Sequence, residues 1–436
     1  MTRNIAQLPN NNYTPETASV YTTTGFNAGD LVYFQNGTYL PATSLTGPSN
    51  ASFSTTYANT TSSFTSTGYV GNVFPPTNGG TSPVGGTANK FAATLSNGNI
   101  AQVWIANSYI NSAVTGQGVY FQIVSTTGTV LYGPTLVSST YTALQNGTAS
   151  VIALTGGGFV VYFADNNNYI TYGIYTNTGT VTTAVQQDTG SGNIAYGQMN
   201  GVALANGGFA IAYYNAASGY YNLRSYNATG TGAYSWVQVS TGPNFATYQF
   251  GMASRSDNSV AISFFSSSTN IITQIYNSSG SNIANPSFTV NGTTIAYCVD
   301  TTCLADGTTL VVGYYNYISS PTNAFYPAFR LIPTGNTVGS EIAIPYQNLQ
   351  YYYQTGSGPQ NFISLMQQSG GGFVFAFTDL LNGIQYAFFN ASGTAVSGTN
   401  TNGTLPILVP GGFVGKYGRL TMIEISGYVN LYWTSS

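Results

Sequence analysis

Apolar residues in this chain come in short runs, and each run ends in a glycine-rich turn followed by a second run. One unit reads Leu154-Thr-Gly-Gly-Gly-Phe-Val-Val-Tyr-Phe-Ala-Asp165 and continues as Tyr169-Ile-Thr-Tyr-Gly-Ile-Tyr-Thr-Asn-Thr-Gly179. The next reads Leu204-Ala-Asn-Gly-Gly-Phe-Ala-Ile-Ala-Tyr-Tyr-Asn215, then Tyr221-Asn-Leu-Arg-Ser-Tyr-Asn-Ala-Thr-Gly230. The same pattern recurs at Ile100, Phe159, Phe209, Val260, Leu310, Phe373 and, more weakly, Leu420, a period of about 50 residues. No apolar stripe with a helical 3.6-residue period accompanies it.

Each unit accommodates four short strands. The first precedes the glycine turn, as in Ala149-Ser-Val-Ile-Ala-Leu154, and the second is the doubly apolar Phe-Val-Val-Tyr-Phe type, expected of a strand covered on both faces. The third ends in Tyr226 to Gly230, Tyr276 to Gly280 or Phe389 to Gly393, where an Asn opens a tight turn that Gly closes. A fourth follows, for example Val130-Leu-Tyr132. Four antiparallel strands repeating at this period predict an all-β chain, a seven-bladed β-propeller of four-stranded antiparallel blades with a small N-terminal β attachment region. The last unit stops at Ser436 with its outermost strand missing. A segment ahead of the first blade is therefore expected to close it, with Tyr69-Val-Gly-Asn-Val-Phe74 the best candidate.

Residues 1–49 fall outside the repeat and are read as a β-hairpin attachment region, because Asn36-Gly37 stands between two apolar runs. Residues 50–88 read as a Ser/Thr-rich extended arm, and residues 89–436 as the propeller. The stretch Gly25-Phe-Asn-Ala-Gly-Asp-Leu-Val-Tyr-Phe-Gln-Asn-Gly-Thr-Tyr39 resembles leader segments of bacteriophage virion structural proteins, notably of marine and cyanobacterial phages. The Gly-Gly-Phe strands followed by Tyr-Asn-x-x-Gly also resemble repeats of large phage and bacterial surface proteins. The resemblance implies a non-enzymatic virion component, tail-associated or capsid-decorating, that mediates assembly and attachment to a host surface. The partners it implies are other virion proteins, met through the N-terminal region, and further copies in a homo-oligomeric array. The alternative is a receptor-binding, lectin-like propeller that recognises host surface glycans. An enzyme acting on polysaccharide ranks last.

Composition narrows the chemistry. Only 4% of the 436 residues are charged, against about a quarter in ordinary soluble domains, while 43% are hydrophobic. That is the composition of a folded chain with a weakly repelling surface, suited to association. Seven Lys and Arg, scattered except for Lys416 and Arg419, make nucleic acid an unexpected partner. No run approaches the ~20 apolar residues of a membrane helix, so no membrane partner is expected. The first residues lack a signal-peptide run, so synthesis in a host cytoplasm without a leader, followed by a virion location, is the expectation.

The chain has no His, which removes Ser-His-Asp and Cys-His catalysis and His-ligated metals; no catalytic residue, metal site or cofactor is expected. The two cysteines, Cys298 and Cys303, make no disulfide framework. Asp257 and Asp306 sit at matching first-to-second-strand turns and read as turn caps rather than a glycosidase pair. Asp165 and Asp379 follow second strands and read as turn residues, with calcium ligation the other possibility. Glu424, mid-strand, calls for a partner, for which Arg419 and Lys416 are nearest in sequence. A polar column along the third strands, Gln122, Gly173, Arg224, Gln274 and Arg330, reads as blade bridging through backbone carbonyls, with a ligand-binding face the alternative. Tyrosine is the abundant functional group, with 36 copies. Tyr351, Tyr352 and Tyr353, in the longest insertion between repeats, are the candidate interface or glycan-binding residues.

Overall fold

The computed structural model describes most of residues 90–436, leaving aside 107–117, 142–148, 240–249, 291–297, 345–362, 397–406, 409–419 and a few shorter connections; before residue 90 it describes six strands. The chain divides into two units, Met1–Ser52 and Phe53–Ser436. In the first, Val32–Gln35 pairs antiparallel with Thr38–Pro41, Gln35 opposite Thr38, so the two strands flank Asn36-Gly37. Thr2–Asn4 pairs with Thr17–Ser19 in the same unit.

The second unit is all-β. Five antiparallel sheets of four strands follow the chain in sequence order, and a sixth, the fourth along the chain, carries a fifth strand because Asn282–Ala284 and Ser287–Thr289 both pair with its third. The first strands are Ala92–Thr94, Ala149–Ala153, Ile194–Ala203, Gly251–Ser254, Val299–Cys303 and Ile363–Gln367. Each lies beside the next, and Leu420–Ile425 lies beside both Ile363–Gln367 and Ala92–Thr94, which completes a circle. This is the radial arrangement of a β-propeller, with first strands innermost. No helix among the described residues is long and apolar enough to cross a membrane.

The glycine that precedes the second strands at Phe159, Phe209 and Phe373 has a packing reason. A Cβ on Gly208 would lie 2.2 Å from the carbonyl oxygen of Tyr226, and one on Gly372 would lie 2.2 Å from that of Phe389. The turn must therefore pass against the end of the third strand with no side chain between. The aromatic that follows then enters the seam between sheets. Phe209 stacks on Tyr226 at 4.7 Å and meets Tyr172 of the preceding sheet edge-on at 5.6 Å. The arrangement recurs with Phe159, Tyr175 and Phe121, and with Phe373, Phe389 and Phe329. Repeated aromatic triplets, nearly all fully buried, thus glue neighbouring sheets.

The final unit departs from expectation. Its neighbours make Leu420–Ile425 a first strand, and Tyr428–Trp433 its second, one place earlier in the sheet than the repeat implied. The strand beside Tyr428–Trp433 is Ser62–Tyr69, itself paired with Ser52–Asn59. Of the expected closing segment 69–74, only Tyr69 is among the described residues.

Candidate functional site

The third strand of the fifth sheet, Ala324–Ile332, carries Arg330, and its second strand, Leu310–Ile318, carries Tyr314 and Asn316. Glu341, next to the short fourth strand Ile342–Ala343, gathers these side chains. Its Oε2 accepts hydrogen bonds from the Tyr314 hydroxyl at 2.7 Å and Asn316 Nδ2 at 2.8 Å, and its Oε1 accepts from the Tyr326 hydroxyl at 2.8 Å. Arg330 donates from Nε to the Tyr314 hydroxyl and from Nη1 to the Gly339 carbonyl. Its Nη2 stands 3.9 Å from Glu341 Oε2, beyond hydrogen-bond reach. The guanidinium lies 5.0 Å from the ring centre of Phe288 in the fourth sheet, which walls the cluster. Arg330 and Glu341 keep 21% and 23% of their side chains exposed, so solvent reaches both. Burial first, and then Glu341, pushes the Tyr326 phenol up to about 12, so it remains a neutral donor across the physiological range.

Arg224 holds the matching third-strand position of the third sheet, yet its cluster is closed. Its Nη1 contacts Asp188 Oδ2 of the second sheet at 2.7 Å, its Nε donates to the Tyr234 carbonyl, and it lies over Tyr226 at 5.4 Å. The Tyr226 hydroxyl donates to the same Asp188 oxygen at 2.6 Å, and Gly190 N–H donates to the other. A direct charged contact with an almost buried carboxylate leaves no gap for a ligand atom.

The first strands surround an axial cavity of about 440 Å³, and Lys90, Asn200, Asp300, Thr301, Ser364 and Glu424 are among its lining residues. Asp300 Oδ1 accepts from Thr301 N–H at 2.8 Å, and Oδ2 accepts from Leu365 N–H in the sixth sheet at 2.7 Å. Asn200, at the corresponding place in the third sheet, likewise accepts from its next residue, Gly201, but donates to the Phe250 carbonyl across the seam. Burial pushes the Asp300 carboxyl up to about 6, against the opposing effects of the Lys90 charge and the two N–H donors.

The residues singled out from sequence fall as follows. Asp257 accepts from Ser259 N–H, and Asp306 from Thr308 and Thr309, as turn caps do. Slight burial raises both carboxyls, but these hydrogen bonds outweigh it and hold them below the usual range. Asp165 is buried and filled by Asn167, Tyr169, Thr171 and Gln187, which makes it a turn organiser with no face open to an ion. Asp379 pairs with Gly383 across a hairpin. Glu424 departs from expectation: its carboxylate takes Ser369 N–H and hydroxyl, while Arg419 and Lys416 lie outside the described residues. The third-strand column is satisfied mainly within its own sheets, since Gln122 donates to Gln102 and Gln274 accepts from Tyr276. Arg224 reaches across to a carboxylate rather than a carbonyl, and Arg330 to the Phe288 ring. Cys298 and Cys303 form no disulfide, and burial pushes Cys303 up to about 11. Tyr351, Tyr352 and Tyr353 lie outside the described residues. Among the described residues no group of three His, Cys, Asp or Glu could hold a metal.

Sequence reasoning missed Glu341 and Asp300. The available signal for the first was an Arg at the same position of two third strands, each needing a counter-charge.

No protein-family description matches the chain, and no curated protein is similar to it in sequence. Solved structures do resemble it. The BP39L lectin of Burkholderia pseudomallei aligns over 80% of this chain and 95% of its own at 10% identity, with a TM-score of 0.52. AofleA of Arthrobotrys oligospora aligns over 76% and 88% at 10% identity, TM-score 0.44, and the fucose-specific lectin of Aleuria aurantia over 70% and 92% at 12% identity, TM-score 0.39. At such identity the likeness to BP39L is one of architecture: this chain and that lectin share a fold.

Proposed function

We propose that the chain is a lectin-like propeller that binds neutral glycans, and that the Arg330–Glu341 cluster is a binding site. The observation that carries this is the 3.9 Å separation of Arg330 Nη2 from Glu341 Oε2 in a partly exposed, aromatic-walled notch. A sugar hydroxyl is both donor and acceptor. Placed about 2.8 Å from each atom, it accepts from the guanidinium and donates to the carboxylate at once. The neighbouring charges cancel, so the notch selects an uncharged polyol over an anion. The shared fold with BP39L, itself a lectin, supports the reading. A glycan array probed with the purified chain tests it, with Arg330→Ala as the paired negative.

The finer architecture is part of the proposal. Seven blades are favoured by the circle of first strands, with Ser62–Tyr69 and Ser52–Asn59 supplying the outer half of the last. A virion setting is a second reading. It is favoured by the resemblance of residues 25–39 and by the unit Met1–Ser52, whose paired strands Val32–Gln35 and Thr38–Pro41 would serve as the attachment region. A glycan-binding propeller carried on a particle satisfies both readings.

A further inference from the structure

The axial cavity is separate from the Arg330–Glu341 notch and has its own chemistry. Each first strand is the end strand of its sheet, so its inner edge turns backbone N–H and C=O groups that the sheet does not pair toward the axis. Such a wall favours a ligand rich in hydrogen-bonding groups. Two opposite charges open onto the same space. Lys90 is exposed, and Asp300 is buried. No contact within 4.0 Å pairs them, yet the lysine is near enough for its charge to act on the carboxyl. Each Asp300 oxygen accepts one backbone N–H, which leaves a further lone pair on each for a ligand. Thr301 Oγ1, also buried, has no hydrogen-bond partner. Glu424, the other carboxylate on the wall, accepts the N–H and hydroxyl of Ser369. A buried carboxylate that belongs to no group of three His, Cys, Asp or Glu among the described residues suits an ammonium group better than a metal ion, which gathers several ligands.

We propose that the axial cavity is a second binding site, for a small zwitterion whose ammonium group meets Asp300 and whose carboxylate meets Lys90. A free amino acid is the simplest member of that class. The volume, about 440 Å³, lies within the range of small-molecule pockets, roughly 300–1,000 Å³. The separated charges explain the preference: an amine alone would satisfy Asp300 but leave Lys90 unpaired, and a carboxylate alone would do the reverse.

The test is calorimetric titration of the full chain with the standard amino acids, β-alanine and 4-aminobutyrate, using propylamine and propionate as single-charge probes. The expected result is saturable binding by at least one zwitterion, at least tenfold tighter than either single-charge probe. Lys90→Met, a change at an exposed side chain, should weaken that binding at least tenfold in a variant whose circular dichroism shows an unchanged fold. Absence of saturable zwitterion binding to the wild-type chain would overturn the proposal. So would equal affinity in Lys90→Met, or propylamine binding as tightly as the zwitterion.

Discussion

Asp300 of the fifth sheet accepts the backbone N–H of Leu365 of the sixth at 2.7 Å, so a buried carboxylate ties two neighbouring blades together beside the axis. The bond has a cost that depends on pH. The folded state holds the Asp300 proton up to about pH 6, whereas an unfolded aspartate releases it near 3.8. Between those values the folded state binds more protons than the unfolded one. Stability from this group is therefore complete below about pH 4 and falls as pH rises through 6. A shift of this size corresponds to roughly 3 kcal/mol. Thermal midpoints measured from pH 4.5 to 7.5 should show that decline, and Asp300→Asn should flatten it. Asn at this position also turns an amide N–H toward Leu365 N–H, so the variant should be less stable than wild type at pH 5.

The Arg224–Asp188 pair should behave as structure. Asp188→Ala strands the guanidinium and the Tyr226 hydroxyl together, both of which now share one carboxylate oxygen. Loss of about 2–3 kcal/mol in urea unfolding is expected, moderated by the 23% exposure of the arginine. Glycan binding per folded molecule should not change.

Two glycines near matching turns should respond in opposite ways. Gly208→Ala forces a methyl group against the Tyr226 carbonyl and should cost about 2 kcal/mol or more. Gly156→Ala meets nothing within 4 Å and should stay within about 0.5 kcal/mol of wild type. Urea midpoints of the two single variants decide this.

The recurrence of this turn is legible in the repeat. Gly208 and Phe209 recur as Gly158 and Phe159 and as Gly372 and Phe373, and each pair sets a close turn and an aromatic wedge. Local spacing of that kind announces strands and blades. The sites were harder to read because their members are distant in sequence. Arg330 meets a glutamate from a later segment and a tyrosine from an earlier strand. Asp300 acquires its meaning only from Leu365, across a seam the sequence does not mark. Glu424 was expected to seek a cation, but two donors from Ser369 satisfy it. In a chain so poor in charge, hydroxyl and backbone donors take the place of counter-ions.

Closure of the ring should depend on the strands that precede the first repeat. A chain beginning at residue 89 would leave Tyr428–Trp433 as an open edge where Ser62–Tyr69 now runs. Such edges invite association with other chains. The shortened protein should show a lower thermal midpoint and concentration-dependent aggregation, measured by light scattering alongside unfolding.

The central claim is that Arg330 and Glu341 grip a neutral sugar between them. Its most direct measurement is the titration of the best array-identified glycan into wild-type chain and into Arg330→Ala and Glu341→Gln, each checked for an unchanged fold by circular dichroism. The account predicts that both substitutions weaken binding by at least tenfold. Wild-type affinity in both folded variants, or no glycan bound by the wild-type chain, would contradict it.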